Sequence, residues 1–191
     1  GNLIVPSGNT LVTQKIKKAN IMKGAESNPS TTTKFLNTSI VRNTIESITI
    51  TNDNIVPTTA IGSFDISNNN DGSIMMWYTD TNSNDLYEVY IGSESGITTF
   101  PDDSKYLFSY LSNVTSINLN FTDTTNTNNM TYMFYQDTNL KTIDLSSFKT
   151  PNLLYFVSMF EGCSSLTSLD LSSFDTSRIT NFSNLFRDCN N

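Results

Sequence analysis

Leu140-Lys-Thr-Ile143-Asp-Leu145-Ser-Ser-Phe148-Lys-Thr150 returns 26 residues later as Leu166-Thr-Ser-Leu169-Asp-Leu171-Ser-Ser-Phe174-Asp-Thr176. The residues C-terminal to each stretch keep the same register: Leu153, Phe156, Met159, Phe160 and Cys163 are matched by Ile179, Phe182, Leu185, Phe186 and Cys189. One period earlier stand Val114, Ile117, Leu119, Thr124, Met130, Met133 and Phe134, and a further step back keeps only Leu107 and Phe108. A fixed period of this length marks an architecture in which each unit buries its apolar face against its neighbours.

Each unit divides into two parts. The first alternates apolar with polar residues, as in Leu140…Ile143-x-Leu145, and predicts a strand with one buried face. The second spaces apolar residues at i, i+3, i+6 and i+7, as in Leu153, Phe156, Met159 and Phe160, and predicts a helix of two turns at most. Asp175-Thr176-Ser177 supplies capping oxygens for it, and Pro151 fits a first helical turn. A strand and a short helix per unit predict an α/β fold, a leucine-rich-repeat-like solenoid of about three 26-residue repeats over residues 106–191. Its parallel strands would lie about 4.8 Å apart.

So few repeats need a cover, which assigns residues 1–105 to a β-rich N-terminal cap region, with 1–40 partly irregular or helical. Residues 73–79 and 86–91 read as a hairpin around the polar turn Asp80–Asp85. Residues 45–50 read as another strand, and residues 60–66 as a further candidate. Thr10 to Met22 suggests a short basic helix carrying Lys15, Lys17 and Lys18, and Gly24 to Thr33 a loop.

The 191 residues are 37% hydrophobic and only 15% charged; 25 are Asn, and 12 Phe, 8 Tyr and 1 Trp supply large apolar groups for a packed fold. A net charge of −7 offers no basic surface to a phosphate backbone, so no nucleic-acid partner is expected. The absence of histidine removes the commonest general base and most zinc sites. Neither a cofactor nor a metal is expected. No apolar run reaches the roughly 18 residues of a membrane span, so no membrane insertion of this segment is expected, and the chain reads as a piece of a longer protein whose leader has been removed.

The candidate binding residues lie on the solvent side of the expected strands: Asn118 and Asn120, then Thr142, Asp144 and Ser146, then Ser168, Asp170 and Ser172. Stacking would align Asn118, Asp144 and Asp170 in a row, either a recognition strip for a protein or glycan or simply a solvated face. Cys163 and Cys189 occupy equivalent positions, and a disulfide between them requires Cα atoms roughly 4.4–6.8 Å apart. Asp80-Thr-Asn82-Ser-Asn84 matches the start of a calcium loop, but Asp85 and Ile91 stand where that loop needs Gly and Glu. It reads otherwise as the hairpin turn. Trp77 with Tyr87 and Tyr90 reads as a sugar-binding platform or as the core of the cap. Asp102/Asp103 and Asp144/Asp170 are the carboxylate pairs that a hydrolase would use.

Gly162-Cys-Ser-Ser-Leu-Thr-Ser-Leu-Asp-Leu-Ser-Ser-Phe-Asp-Thr-Ser177, followed by Ile179-Thr-Asn-Phe-Ser-Asn-Leu-Phe186, closely resembles the 26-residue repeat of BspA-like leucine-rich-repeat bacterial surface proteins. Residues 71–78 and 86–91 resemble the region leading into those repeats. Asp137, where later units have Cys, and the Asn/Thr-rich stretch 124–129 depart from the pattern. The resemblance implies an exported bacterial protein on the cell surface, a small buried free Cys at positions 163 and 189, and adhesion to an extracellular protein or glycan for some members. The expected function is therefore a non-catalytic interaction module, the alternatives being a passive stalk or spacer and a carboxylate hydrolase.

Overall fold

The structure is a computed structural model that describes residues 20–190. Its strands are β1 (Ile45–Thr51), β2 (Gly62–Asp65), β3 (Ile74–Thr79), β4 (Tyr87–Ser93), β5 (Thr98–Thr99), β6 (Ser116–Asn118), β7 (Thr122–Asp123) and β8 (Thr142–Ile143). Six of them form one mixed sheet in the order β2-β3-β4-β1-β6-β8, while β5 and β7 make a separate two-stranded pair.

The expected hairpin forms. β3 and β4 are antiparallel, with Ile74 opposite Ser93 and Trp77 opposite Tyr90. Alternation turns Ile74, Met76, Val89 and Ile91 into the core, where each is almost wholly buried. β1 pairs in parallel with β4 on one side and with β6 on the other. The sheet therefore runs without a break from the hairpin into the repeats. The same core continues through Ile117, Leu119, Ile143 and Leu145 and down the phenylalanines of the repeats.

The α/β leucine-rich-repeat-like solenoid of strands and short helices does not form. Among the described residues the helical segments are two 3-10 turns, Phe35–Asn37 and Arg42–Thr44, both ahead of the repeats. Where the apolar spacing predicts helices the backbone is a chain of turns, for a physical reason. Tyr106, Tyr132, Ser158 and Asn184 recur at the 26-residue period with φ of 61°, 59°, 53° and 57°. Four residues after each, Tyr110, Gln136, Gly162 and Asp188 also have positive φ. Two left-handed residues per turn of chain cannot belong to a right-handed helix.

Alternate N–H groups of each turn segment reach the next repeat, while those between them close i to i−3 turns within the segment. Phe108 N bonds Met133 O at 2.9 Å, Phe134 N bonds Met159 O at 2.9 Å, and Phe160 N bonds Leu185 O at 3.2 Å. These bonds bring like side chains into contact. Phe108, Phe134, Phe160 and Phe186 form a column of near-parallel rings with centroids 5.8, 5.5 and 6.0 Å apart. Strand pairing is sparser than the sequence pattern suggests. Thr142–Ile143 is the last strand, and the third unit contributes only the Thr167 N to Lys141 O bond at 3.1 Å.

Lys15, Lys17 and Lys18 lie outside the described residues. The described end of that segment is extended, with Ile21 bridged to Thr99 and Met22 to Ser67.

Candidate functional site

The register of the sheet places the candidate residues. Trp77 pairs with Tyr90, Tyr90 with Thr49, and Thr49 with Asn118. Because Ile117 pairs with Ile143, Asn118 stands beside Asp144. All five belong to the face opposite Ile48, Val89 and Ile117, so one cross-strand row runs from the hairpin to the repeats. A second row, Glu88, Ser47, Ser116 and Thr142, lies next to it.

The eight candidate residues Asn118, Asn120, Thr142, Asp144, Ser146, Ser168, Asp170 and Ser172 are all exposed. Three of them close the same local turn in successive repeats. Asn118 Oδ1 accepts Asn120 N at 3.0 Å, Asp144 Oδ1 accepts Ser146 N at 2.9 Å, and Asp170 Oδ1 accepts Ser172 N at 2.8 Å. A short side chain that accepts the N–H two residues on fixes the chain as it leaves the strand position.

The structure brings four of the eight together. Asp144, Ser146, Asp170 and Ser172 line one cavity of ≈ 250 Å³. Asn120 opens instead onto a cavity with Thr122, Asp123 and Lys149, and Ser168 onto one beside Phe186 and Cys189. The Ser146 N–H and hydroxyl hold the Asp144 carboxyl below its ordinary range, and Ser172 does the same for Asp170. Both are carboxylates at neutral pH, so this side of the cavity is negative.

The remaining candidates resolve individually. Trp77 is 5% exposed and stacks on Tyr90 with centroids 5.8 Å apart, while Tyr87 packs against the main core. Of the two readings open for these residues, packing into the cap is the one that fits Trp77 and Tyr87. Asp80 accepts the N–H groups of Asn84 and Asp85 within the β3–β4 connection, and Asn82 and Asn84 donate from it to Glu46 of β1. This is the hairpin turn. Cys163 and Cys189 are free thiols, donating to Phe134 O at 3.0 Å and Phe160 O at 3.1 Å.

Two features have no counterpart in the sequence-based expectations. Tyr106, Tyr110, Tyr132 and Tyr135 form a half-exposed cluster on the turn segments of the first repeats; the 26-residue spacing of Tyr106 and Tyr132 is the signal that points to it. Arg42 is wholly buried. It donates to Ser109 O and Glu26 Oε2, each at 2.7 Å, and lies 5.3 Å from the Phe35 ring centroid. Nothing in its local sequence marks it.

Residues 102–191 match the family model described as "Mycoplasma protein of unknown function, DUF285". No curated protein and no solved structure matches the chain. The DUF285 match takes in β6, β7, β8, the cavity of Asp144 and Asp170 and the phenylalanine column, and leaves β1 to β5 outside. Its description assigns no activity. Among the described residues no helix is long and apolar enough to cross a membrane.

Proposed function

We propose that the chain is a non-catalytic module of an exported bacterial surface protein that binds an extracellular protein or glycan. The binding face is the solvent side of the six-stranded sheet, extended by the cavity of Asp144, Ser146, Asp170 and Ser172. The observation that carries this reading is the cross-strand row of half-buried Thr49 and exposed Asn118 and Asp144, fixed from below by paired strands and from the side by the three repeated turns. Rigidly held polar groups bind at small entropic cost. The DUF285 match and the resemblance of the repeats to BspA-like surface proteins support display on the cell envelope.

The charge states support a non-catalytic role. Paired-carboxyl hydrolysis needs one carboxyl raised so that it can donate a proton. Asp144 and Asp170 are both lowered. Asp137, which burial pushes well above the usual carboxylate range, is sealed in the core.

The test is an array of extracellular-matrix proteins and glycans probed with the chain and with the variant D144A/D170A. Capture of one ligand class that weakens at least tenfold in the variant supports the reading. Capture unaffected by the substitutions rejects this face, and an empty array leaves the passive spacer as the better account.

A further inference from the structure

Tyr106 and Tyr132 stack with centroids 4.9 Å apart and planes 6° from parallel. Tyr135 meets Tyr132 and Tyr110 edge-on at 5.2 Å each, and Lys105 Nζ lies 5.1 Å from the Tyr106 centroid. The fold does not ask for these side chains. The place of Tyr106 and Tyr132 in the repeat is taken by Ser158 and Asn184 further on, that of Tyr110 by Gln136, Gly162 and Asp188, and that of Tyr135 by Glu161. Tyr106, Tyr110 and Tyr132 are moreover held at φ near 60°, a conformation that suits Gly, Asn or Asp far better than an aromatic residue. A cluster that is costly for the backbone and dispensable for packing points to a role outside the fold.

Beside the cluster lies a cleft of ≈ 290 Å³ lined by Tyr106, Lys105, Asp103, Ser27 and Asn28. Its volume is at the lower end of small-ligand sites, the size of a single sugar ring rather than a large cofactor. One face of Tyr106 is covered by Tyr132, and the ring borders the cleft. We propose that this cleft and the tyrosine cluster form a saccharide-binding site. The apolar C–H face of a pyranose packs on the Tyr106 ring. Its hydroxyls meet the phenol, carboxylate, amide and serine groups around the rim. Burial and the neighbouring phenols push Tyr106 and Tyr110 above the ordinary tyrosine range, so both remain neutral hydrogen-bonding groups. A proline-rich peptide would need a slot between aromatic rings. The direct stacking of Tyr106 on Tyr132 leaves none. The site belongs to the turn segments rather than to β6 and β8, and it stands independently of the sheet face.

The experiment titrates the chain with neutral trisaccharides of glucose, galactose, mannose and N-acetylglucosamine and with a proline-rich peptide. Binding is read by tyrosine fluorescence and by chemical-shift changes. Y106S, Y132S and Y135E install residues that the repeat carries elsewhere, so folding is retained and is checked by urea unfolding. At least one trisaccharide is expected to bind at millimolar or lower concentration and to weaken at least tenfold in Y106S and Y132S. No saccharide binding by the unaltered chain, binding that survives both tyrosine substitutions, or binding of the peptide alone overturns the proposal.

Discussion

Asp137 occupies in its repeat the place that Cys163 occupies in the next and Cys189 in the one after, and it accepts the backbone N–H of Leu111 on Oδ1 at 2.8 Å. Each thiol donates its proton to a backbone carbonyl, Phe134 O or Phe160 O. Asp137 Oδ2 has no hydrogen-bond partner, so a negative charge on this buried group would go uncompensated there. Burial pushes this group well above the usual carboxylate range, Leu111 N–H and the distant charge of Arg42 only partly opposing it.

The pH dependence follows from that shift. An acid whose folded value is raised stabilises fully below its unfolded value, near 3.9, and the contribution is lost as pH rises toward the folded value. The urea midpoint of the chain should therefore fall as pH rises above the unfolded value, about 4. Asp137→Asn keeps the acceptor for Leu111 and adds an uncharged donor, so it should flatten that slope. Equal slopes in the two proteins would show that Asp137 is ionised in the fold.

The phenylalanine column makes a graded prediction. Phe134 and Phe160 are wholly buried between two neighbours, whereas Phe186 is 48% exposed with a ring stacked on one side. Phe134→Ala and Phe160→Ala should each cost about 3–5 kcal/mol, and Phe186→Ala about 1 kcal/mol. Urea unfolding of the three variants measures the order. A Phe186 variant as damaged as the other two would contradict it.

Gly162 is the glycine at the second left-handed position of the repeats, with φ of 79°, and a Cβ there would strike the Gln136 amide. Gly162→Ala should cost about 1–2 kcal/mol for the backbone conformation alone. Adding Gln136→Ala should relieve only the collision. In that background Gly162→Asn should be milder than Gly162→Ala, because Asn tolerates left-handed φ. A double-mutant cycle in urea separates the two contributions.

Thiol labelling distinguishes the two cysteines. Burial raises both above the ordinary thiol range, Cys163 the further. Cys189 is half-buried and Cys163 fully so. With an excess of aromatic disulfide reagent at pH 8, Cys189 should react first, more slowly than free cysteine. Cys163 should react only when urea unfolds the chain. Equal rates in the native protein would place Cys163 nearer the surface than its contacts allow.

The hairpin and β1 are legible in the sequence because period-2 alternation depends on nothing beyond the strand itself. The buried positions of the repeats are legible for a similar reason, since the 26-residue register names them. The expected helices are absent because apolar residues at i, i+3, i+6 and i+7 suit a stack of turns as well as a helix. The left-handed residues that decide between them are Ser158 and Gly162 in one unit and Asn184 and Asp188 in the next; Gly, Asn and Asp tolerate positive φ without requiring it, so their presence alone does not mark the turns. Nor is the seating of β1 between β4 and β6 visible in the sequence, because Thr49 meets Tyr90 and Asn118 only through the folded chain. Asp137 stands out as a lapse in the repeat pattern, but its partner, the Leu111 N–H, is set only by the folded chain.

The central seat of β1 carries a consequence for biogenesis. Its partners β4 and β6 leave the ribosome some 40 and 70 residues after it, so it must stay unpaired until distant chain arrives. Each later repeat needs only the one just before it. The slow, aggregation-exposed step of assembly is thus the capture of β1, and the repeats zip up behind it at the pace of short loop closures.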